Sequence, residues 1–135
     1  ARIAYEAFEE VVASPRWKAL EAKGAHRQKP LWASTSTKDP SLPDLYYVEA
    51  LIAPDSVDTM PPETFDAYRD HGDPKVRIRD GREAAHADIR ALRDLGISID
   101  QVAVELENEG VQKFSDSFDS LMKTIGEKRR AMRVA

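Results

Sequence analysis

The sequence predicts an α/β fold with too few strands to stand alone, and three observations carry that reading. Apolar residues recur three or four apart along most of the chain, the period of amphipathic helices. Two short apolar runs, near residues 31–35 and 57–60, each follow a proline-bearing break and precede a helical pattern, the order of a parallel α/β arrangement. Two strands cannot make a stable parallel sheet, because such sheets are buried on both faces. The missing strands are therefore expected from outside these residues. The chain also opens within a helical pattern, at Ala1-Arg2-Ile3, which leads to the same expectation of a fragment.

The first helix is expected over residues 2–13, with Ile3, Ala4, Ala7, Phe8, Val11 and Val12 on one face. Ser14-Pro15 reads as an N-cap followed by proline in the first helical position. Trp17 and Leu20 give this second helix an apolar side, and Gly24 is its expected stop. Leu31-Trp32-Ala33-Ser34-Thr35-Ser36 turns from apolar to hydroxyl-bearing, as a buried strand does at its exposed end. Pro40 and Pro43 mark the following loop.

Leu45, Val48, Leu51 and Ile52 place a helix over 44–52, and Pro54-Asp55 breaks it. The second strand follows, and Pro61-Pro62 opens a helix ending near His71-Gly72. Residues 73–80 read as charged and irregular. A helical tail over 81–131 is expected as three helices, 81–95, 99–109 and 111–130. Gly96 is a stop between the first two, and Ser98 or Asp100 is the cap of the second. The stripe Val111, Phe114, Phe118, Leu121, Met122 and Ile125 is the cleanest in the chain.

Composition excludes several classes of function. With 135 residues the chain suits one domain. Its 20 Lys and Arg against 24 Asp and Glu give a net charge of −4 with no clustered basic face, which argues against nucleic acid. The basic run Lys128, Arg129, Arg130 and Arg133 reads as a solvated helix end complementing the helix dipole. No cysteine is present, so disulfides, thiolate metal sites and cysteine nucleophiles are excluded. No apolar run approaches the roughly 18 residues of a membrane span, and nothing at the start reads as a signal peptide. The expected location is the cytoplasm.

Chemistry concentrates at Ala33-Ser34-Thr35-Ser36-Thr37-Lys38. In α/β folds ligands bind at the C-terminal ends of strands. There, hydroxyls can donate to phosphate oxygens and an ammonium supplies charge. The plainer alternative is a hydroxyl-rich turn. Thr59, at the other strand end, either faces a site or caps the next helix, and capping is the simpler reading. His26, His71 and His86 lack metal-ligand spacing. A triad of Ser34, His71 and Asp70 has no nucleophile elbow behind it. Glu107 lies two residues from Glu105 and from Glu109, a spacing that does not share a helix face, and the three read as solvated. No lysine sits in an apolar strand where desolvation could tune it for Schiff-base chemistry.

The segment Lys29-Pro30-Leu31-Trp32-Ala33-Ser34-Thr35-Ser36-Thr37-Lys38-Asp39-Pro40 resembles bacterial transaldolases, particularly the actinobacterial and cyanobacterial type. So do Tyr47 to Pro54, Asp58-Thr59-Met60-Pro61-Pro62, Asp70-His71-Gly72 and Glu107-Asn108-Glu109-Gly110-Val111-Gln112-Lys113-Phe114. The resemblance covers nearly the whole chain. It implies the C-terminal portion of a (β/α)₈ barrel: the last two strands plus helices and the tail, with the rest of the barrel as partner. Transaldolases move a dihydroxyacetone unit between sugar phosphates in the pentose phosphate pathway, through a Schiff base on a lysine and without a cofactor. The implied mapping makes 31–35 strand seven and 57–60 strand eight, with the Schiff-base lysine upstream of Ala1. Ser34, Ser36 and Lys38 are then the candidate substrate-phosphate ligands. Many relatives carry an arginine shortly after the Ala-Ser motif; here Lys38 is the candidate replacement. Relatives often have Asn in place of Asp58, an acid that would be unfavourable facing phosphate and is expected to point away. Two alternatives stay open: a stand-alone helical binding module, and another sugar-phosphate aldolase barrel.

Overall fold

The computed structural model describes residues 1–134. They fall into two compact units, residues 1–87 and Asp88 to the C-terminus. The elements are α1 (Arg2–Ala13), α2 (Pro15–Glu21), β1 (Leu31–Trp32), α3 (Tyr46–Ala50), β2 (Val57–Asp58), α4 (Pro62–His71), α5 (Arg82–Asp94) and α6 (Ile99–Val134).

The helix boundaries follow local chemistry. Ser14 caps α2, its side chain accepting from the Trp17 N–H at 3.1 Å, with Pro15 in the first turn. Gly24 and Gly96 close α2 and α5 with positive φ of 91° and 79°. In each, the glycine N–H and the one after it return to carbonyls of the last turn. Gly24 and Ala25 donate to Glu21 and Leu20; Gly96 and Ile97 donate to Arg93 and Leu92. This is the Schellman pattern, which satisfies carbonyls that a helix end leaves open. At the start of α6 the choice between two caps resolves to Ser98, whose hydroxyl accepts from the Gln101 N–H.

Three expectations are corrected. Both strands are two residues long, not 31–35 and 57–60. β1 stops because Ser34 takes φ 58°, a left-handed conformation that cannot continue an extended ladder. The helix expected over 44–52 is the shorter α3. The tail beyond residue 98 is one helix of 36 residues rather than two. Gly110 costs such a helix roughly 1 kcal/mol relative to alanine but keeps its N–H, so the ladder runs through it. Of the basic run near the C-terminus, the Arg133 side chain lies outside the described residues.

β1 and β2 pair in parallel, as expected, with Leu31 opposite Val57 and Trp32 opposite Asp58. The Val57 N–H donates to the Pro30 carbonyl and the Thr59 N–H to that of Trp32, both at 2.9 Å. The buried apolar residues are few: Tyr5, Leu45, Val48 and Ile78. Ile78 is 0% exposed, although it lies in the stretch that reads as irregular. It is drawn in because the N–H groups of Arg77 and Ile78 both donate to the Ile52 carbonyl. On α1 the buried residue is Tyr5, whose hydroxyl donates to the Pro54 carbonyl at 2.9 Å and so keeps its polar tip satisfied. The expected apolar face of α1 is open instead. Phe8, Val11 and Val12 line a groove with Trp17, Pro30 and Leu31.

Ion pairs tie the first unit together. Glu9 receives Arg79 and Arg82, and Glu6 lies 2.6 Å from His86 Nε2. Burial alone would raise the Glu9 pKa, but the bonds from Arg79 and Arg82 outweigh it and hold the carboxyl below its usual value.

Candidate functional site

A parallel pair leaves both strands at the same edge, so residues after Trp32 and after Asp58 emerge side by side. They are joined by Thr35. Its side chain is almost fully buried, and its hydroxyl lies 3.0 Å from Asp58 Oδ1 and 3.2 Å from the Thr59 carbonyl. A hydroxyl has one proton, so these two acceptors share it. Thr59 closes the other side, its hydroxyl donating to the Trp32 carbonyl at 3.2 Å. Thr59 is thus a strand-end clasp and not a helix cap, because Pro61 holds the N-cap position of α4.

Asp58 is half-buried at this junction. Burial raises its pKa, opposed by hydrogen bonds from the Thr35 side chain and the Thr59 backbone. Desolvation disfavours the carboxylate more than those bonds favour it. The acid is turned towards Thr35.

The three candidate ligands are divided by the structure. Ser36 and Lys38 come together, with the ammonium donating to the Ser36 hydroxyl oxygen at 2.7 Å. Because that oxygen accepts, the Ser36 proton is left to be donated elsewhere. The pair therefore presents a hydroxyl donor beside a positive charge, which suits an anion. Ser34 is exposed, occupies the left-handed region and, among the described residues, bonds to neither. Left-handed backbone at a non-glycine residue carries a cost of order 1–3 kcal/mol and clusters at ligand sites. The loop beyond is braced. The Thr37 hydroxyl lies 2.9 Å from the Pro43 carbonyl, and the Asp39 carboxylate accepts from the backbone N–H and the hydroxyl of Ser41.

Thr35 is the residue the sequence does not single out. The signal for Thr35 was its place among hydroxyls at a strand end, but that pattern cannot rank four neighbouring hydroxyls by burial. A separate cluster joins the start of α3 to the end of α4. His71 Nε2 lies 3.2 Å from the Asp44 carboxylate and Nδ1 3.2 Å from Asp70. Hydrogen bonding to Asp44 first, then to Asp70, raises the His71 pKa. Its partners are these carboxylates, so the structure does not assemble the Ser34, His71 and Asp70 triad.

Two parallel strands, each followed by a helix, place the chain in the α/β class. The family match is specific: the Transaldolase/Fructose-6-phosphate aldolase family fits residues 1–125, and the chain belongs to that family. Similar proteins include the transaldolase of Frankia alni, 55% identical over 128 residues, covering 94% of this chain and 34% of the relative. That of Acidothermus cellulolyticus is 52% identical, covering 93% and 34%. The cyanobacterial transaldolase of Trichodesmium erythraeum is 45% identical over 130 residues, covering 95% and 34%. The chain thus spans about a third of the length of the relatives it matches. Among the described residues no helix is long and apolar enough to cross a membrane.

Proposed function

We propose that this chain is the C-terminal part of a transaldolase barrel, a single (β/α)₈ domain completed by an upstream part. In this reading β1 and β2 are the seventh and eighth strands, and the whole protein transfers a dihydroxyacetone unit between sugar phosphates of the pentose phosphate pathway in the cytoplasm. The observation that carries the proposal is the Ser36–Lys38 pair at the edge of two parallel strands in a chain of this family. Ser36 and Lys38 hold the substrate phosphate, and Ser34 adds a further donor from its left-handed position. Thr35 and Asp58 do not touch substrate; they fix the two loops relative to each other.

The Schiff base belongs to the upstream part. Neither β1 nor β2 contains a lysine, and Lys29 and Lys38 lie outside the strands. A lysine nucleophile must be uncharged when it attacks, which calls for a desolvated position. The open groove of Phe8, Val11, Val12, Trp17 and Leu31 is the apolar surface that the upstream part covers.

The test is a pair of single substitutions in the assembled enzyme. Ser36→Ala and Lys38→Ala should each raise KM for phosphorylated substrates. A lost charge-assisted bond costs roughly 1.5–3 kcal/mol, or about 10- to 100-fold, with kcat retained if binding is uniform. Unchanged KM in both variants removes them from the site. A second reading, aldol cleavage rather than transfer, is kept because the family description includes fructose-6-phosphate aldolase. Free dihydroxyacetone released without an acceptor aldose would select it.

A further inference from the structure

The motif Asp70-His71-Gly72 takes no part in the strand-end site, yet it reaches that site in two steps. His71 ends α4, and its Nε2 lies 3.2 Å from both oxygens of the Asp44 carboxylate. Asp44 stands where the loop after β1 runs into α3. Its backbone carbonyl and that of Pro43 accept from the Thr37 hydroxyl, at 3.0 and 2.9 Å. Thr37 lies between Ser36 and Lys38, whose side chains meet at 2.7 Å. Both ends of this link are anchored in helices. The Pro43 carbonyl also accepts from the Tyr46 N–H at the start of α3. At the end of α4 the Gly72 N–H donates to the Tyr68 carbonyl, and a Cβ at Gly72 would run into the Tyr68 ring. Glycine therefore lets the chain leave the helix tightly behind His71.

The surroundings of His71 favour its charged form. Asp44 faces the ring from the start of α3, and Asp70 from α4 itself. Arg2, Arg77, Glu49 and Asp80 line the same cavity, two cations against two acids, so Asp44 and Asp70 decide the sign. Hydrogen bonding to Asp44, then to Asp70, raises the histidine pKa. Protonated, the ring offers two N–H donors to two carboxylates; neutral, it offers one, without charge. We propose that His71 is a positioning residue for the candidate phosphate ligands, holding the loop of Ser36 and Lys38 through Asp44 and Thr37. The role rests on the reading of Ser36 and Lys38 as phosphate ligands. The hold is complete at pH below the raised folded pKa of His71 and loosens as pH rises through it.

In the assembled enzyme, below the histidine pKa, His71→Ala should raise KM for phosphorylated substrates about two- to fivefold with kcat retained. That is the range of an ion pair exposed to this degree. His71→Lys keeps a cation within reach of Asp44 that stays charged to about pH 10. It should hold KM low and remove the part of the pH dependence that belongs to His71; any part shared with the unaltered enzyme arises elsewhere. The link itself is read without substrate, in the 135-residue chain. The amide signals of Ser36, Thr37 and Lys38 should shift with pH in step with the His71 ring, and the step should vanish in His71→Lys. Signals that ignore His71, or a KM for His71→Ala equal to that of the unaltered enzyme at every pH, would overturn the positioning role. If Ser36→Ala and Lys38→Ala still raise KM in that case, the phosphate site stands without it. If those two variants leave KM unchanged while the signals follow His71, it is the phosphate reading that fails, and the positioning role falls with it.

Discussion

Residues 1–87 and residues 88–134 are held by opposite kinds of interaction. In the first unit the decisive contacts join residues far apart in sequence. The Tyr5 hydroxyl reaches Pro54, Thr35 reaches Asp58 and His86 reaches Glu6. In the second, side-chain bonds run one helical turn, as Gln101 to Glu105, Gln112 to Asp116 and Lys113 to Glu109. Non-local contacts build a site from strand ends at the expense of loop-closure entropy. Local contacts build a helix whose apolar residues, Phe114 and Phe118 among them, stay exposed. The candidate ligands Ser34, Ser36 and Lys38 all lie in the first unit.

The largest effect that would sharpen this contrast comes from Ile78→Ala. Removing a fully buried isoleucine should cost about 2–5 kcal/mol. Amide exchange should accelerate through residues 1–87 while protection of the α6 amides stays as it was. Equal loss of protection in α6 would break the division. Thr35→Val follows. It removes the side-chain donor to Asp58 and to the Thr59 carbonyl, at a cost of about 1–3 kcal/mol. It should also disturb the backbone signals of residues 33–38 and 57–60, and a spectrum unchanged in either loop would remove Thr35 as their link.

A smaller and pH-dependent effect separates two carboxyls of the first unit. The folded Asp58 pKa is raised, so folding favours its protonated form, and that stability is lost as pH rises through the folded pKa. Asp58→Asn should therefore stabilise the chain at neutral pH and confer little near pH 3, since the amide oxygen still accepts from Thr35. Glu9 has a lowered pKa, so its contribution is present above the unfolded value and is lost as pH falls. Glu9→Gln should be destabilising at neutral pH and nearly neutral in acid. Urea titrations at both pH values check the opposite signs. The smallest effect belongs to Gly126→Ala in α6. Gly126 has open space around a Cβ, and the exchange should raise helix stability by about 0.5–1 kcal/mol without altering residues 1–87.

This contrast also explains what could be read from sequence. Ser14, Gly24, Gly96 and the α6 stripe were legible because caps and helical faces are local, encoded within a few residues. The parallel pairing of the strands was legible from element order. The burial of Ile78 was not, because it depends on two N–H groups meeting the Ile52 carbonyl, 25 and 26 residues away by number. Nor could the sequence choose Thr35 over Ser34 and Ser36, since all three carry a hydroxyl and only the turn at Ser34 decides which points inward. Ser36 and Lys38 are two residues apart in sequence, and their side chains meet at 2.7 Å. The split of the tail at Gly110 was wrong because glycine weakens a helix without removing a hydrogen bond.

In the function proposed above, these residues form the phosphate side of a barrel whose Schiff base lies upstream. The most direct measurement treats the chain with fructose 6-phosphate and borohydride, alone and after assembly with the upstream part of a similar transaldolase, followed by mass analysis of each polypeptide. A trapped ketose adduct is expected only in the assembled sample, and only on the upstream polypeptide. An adduct on a lysine of this chain, or assembly that yields no adduct at all, would contradict it.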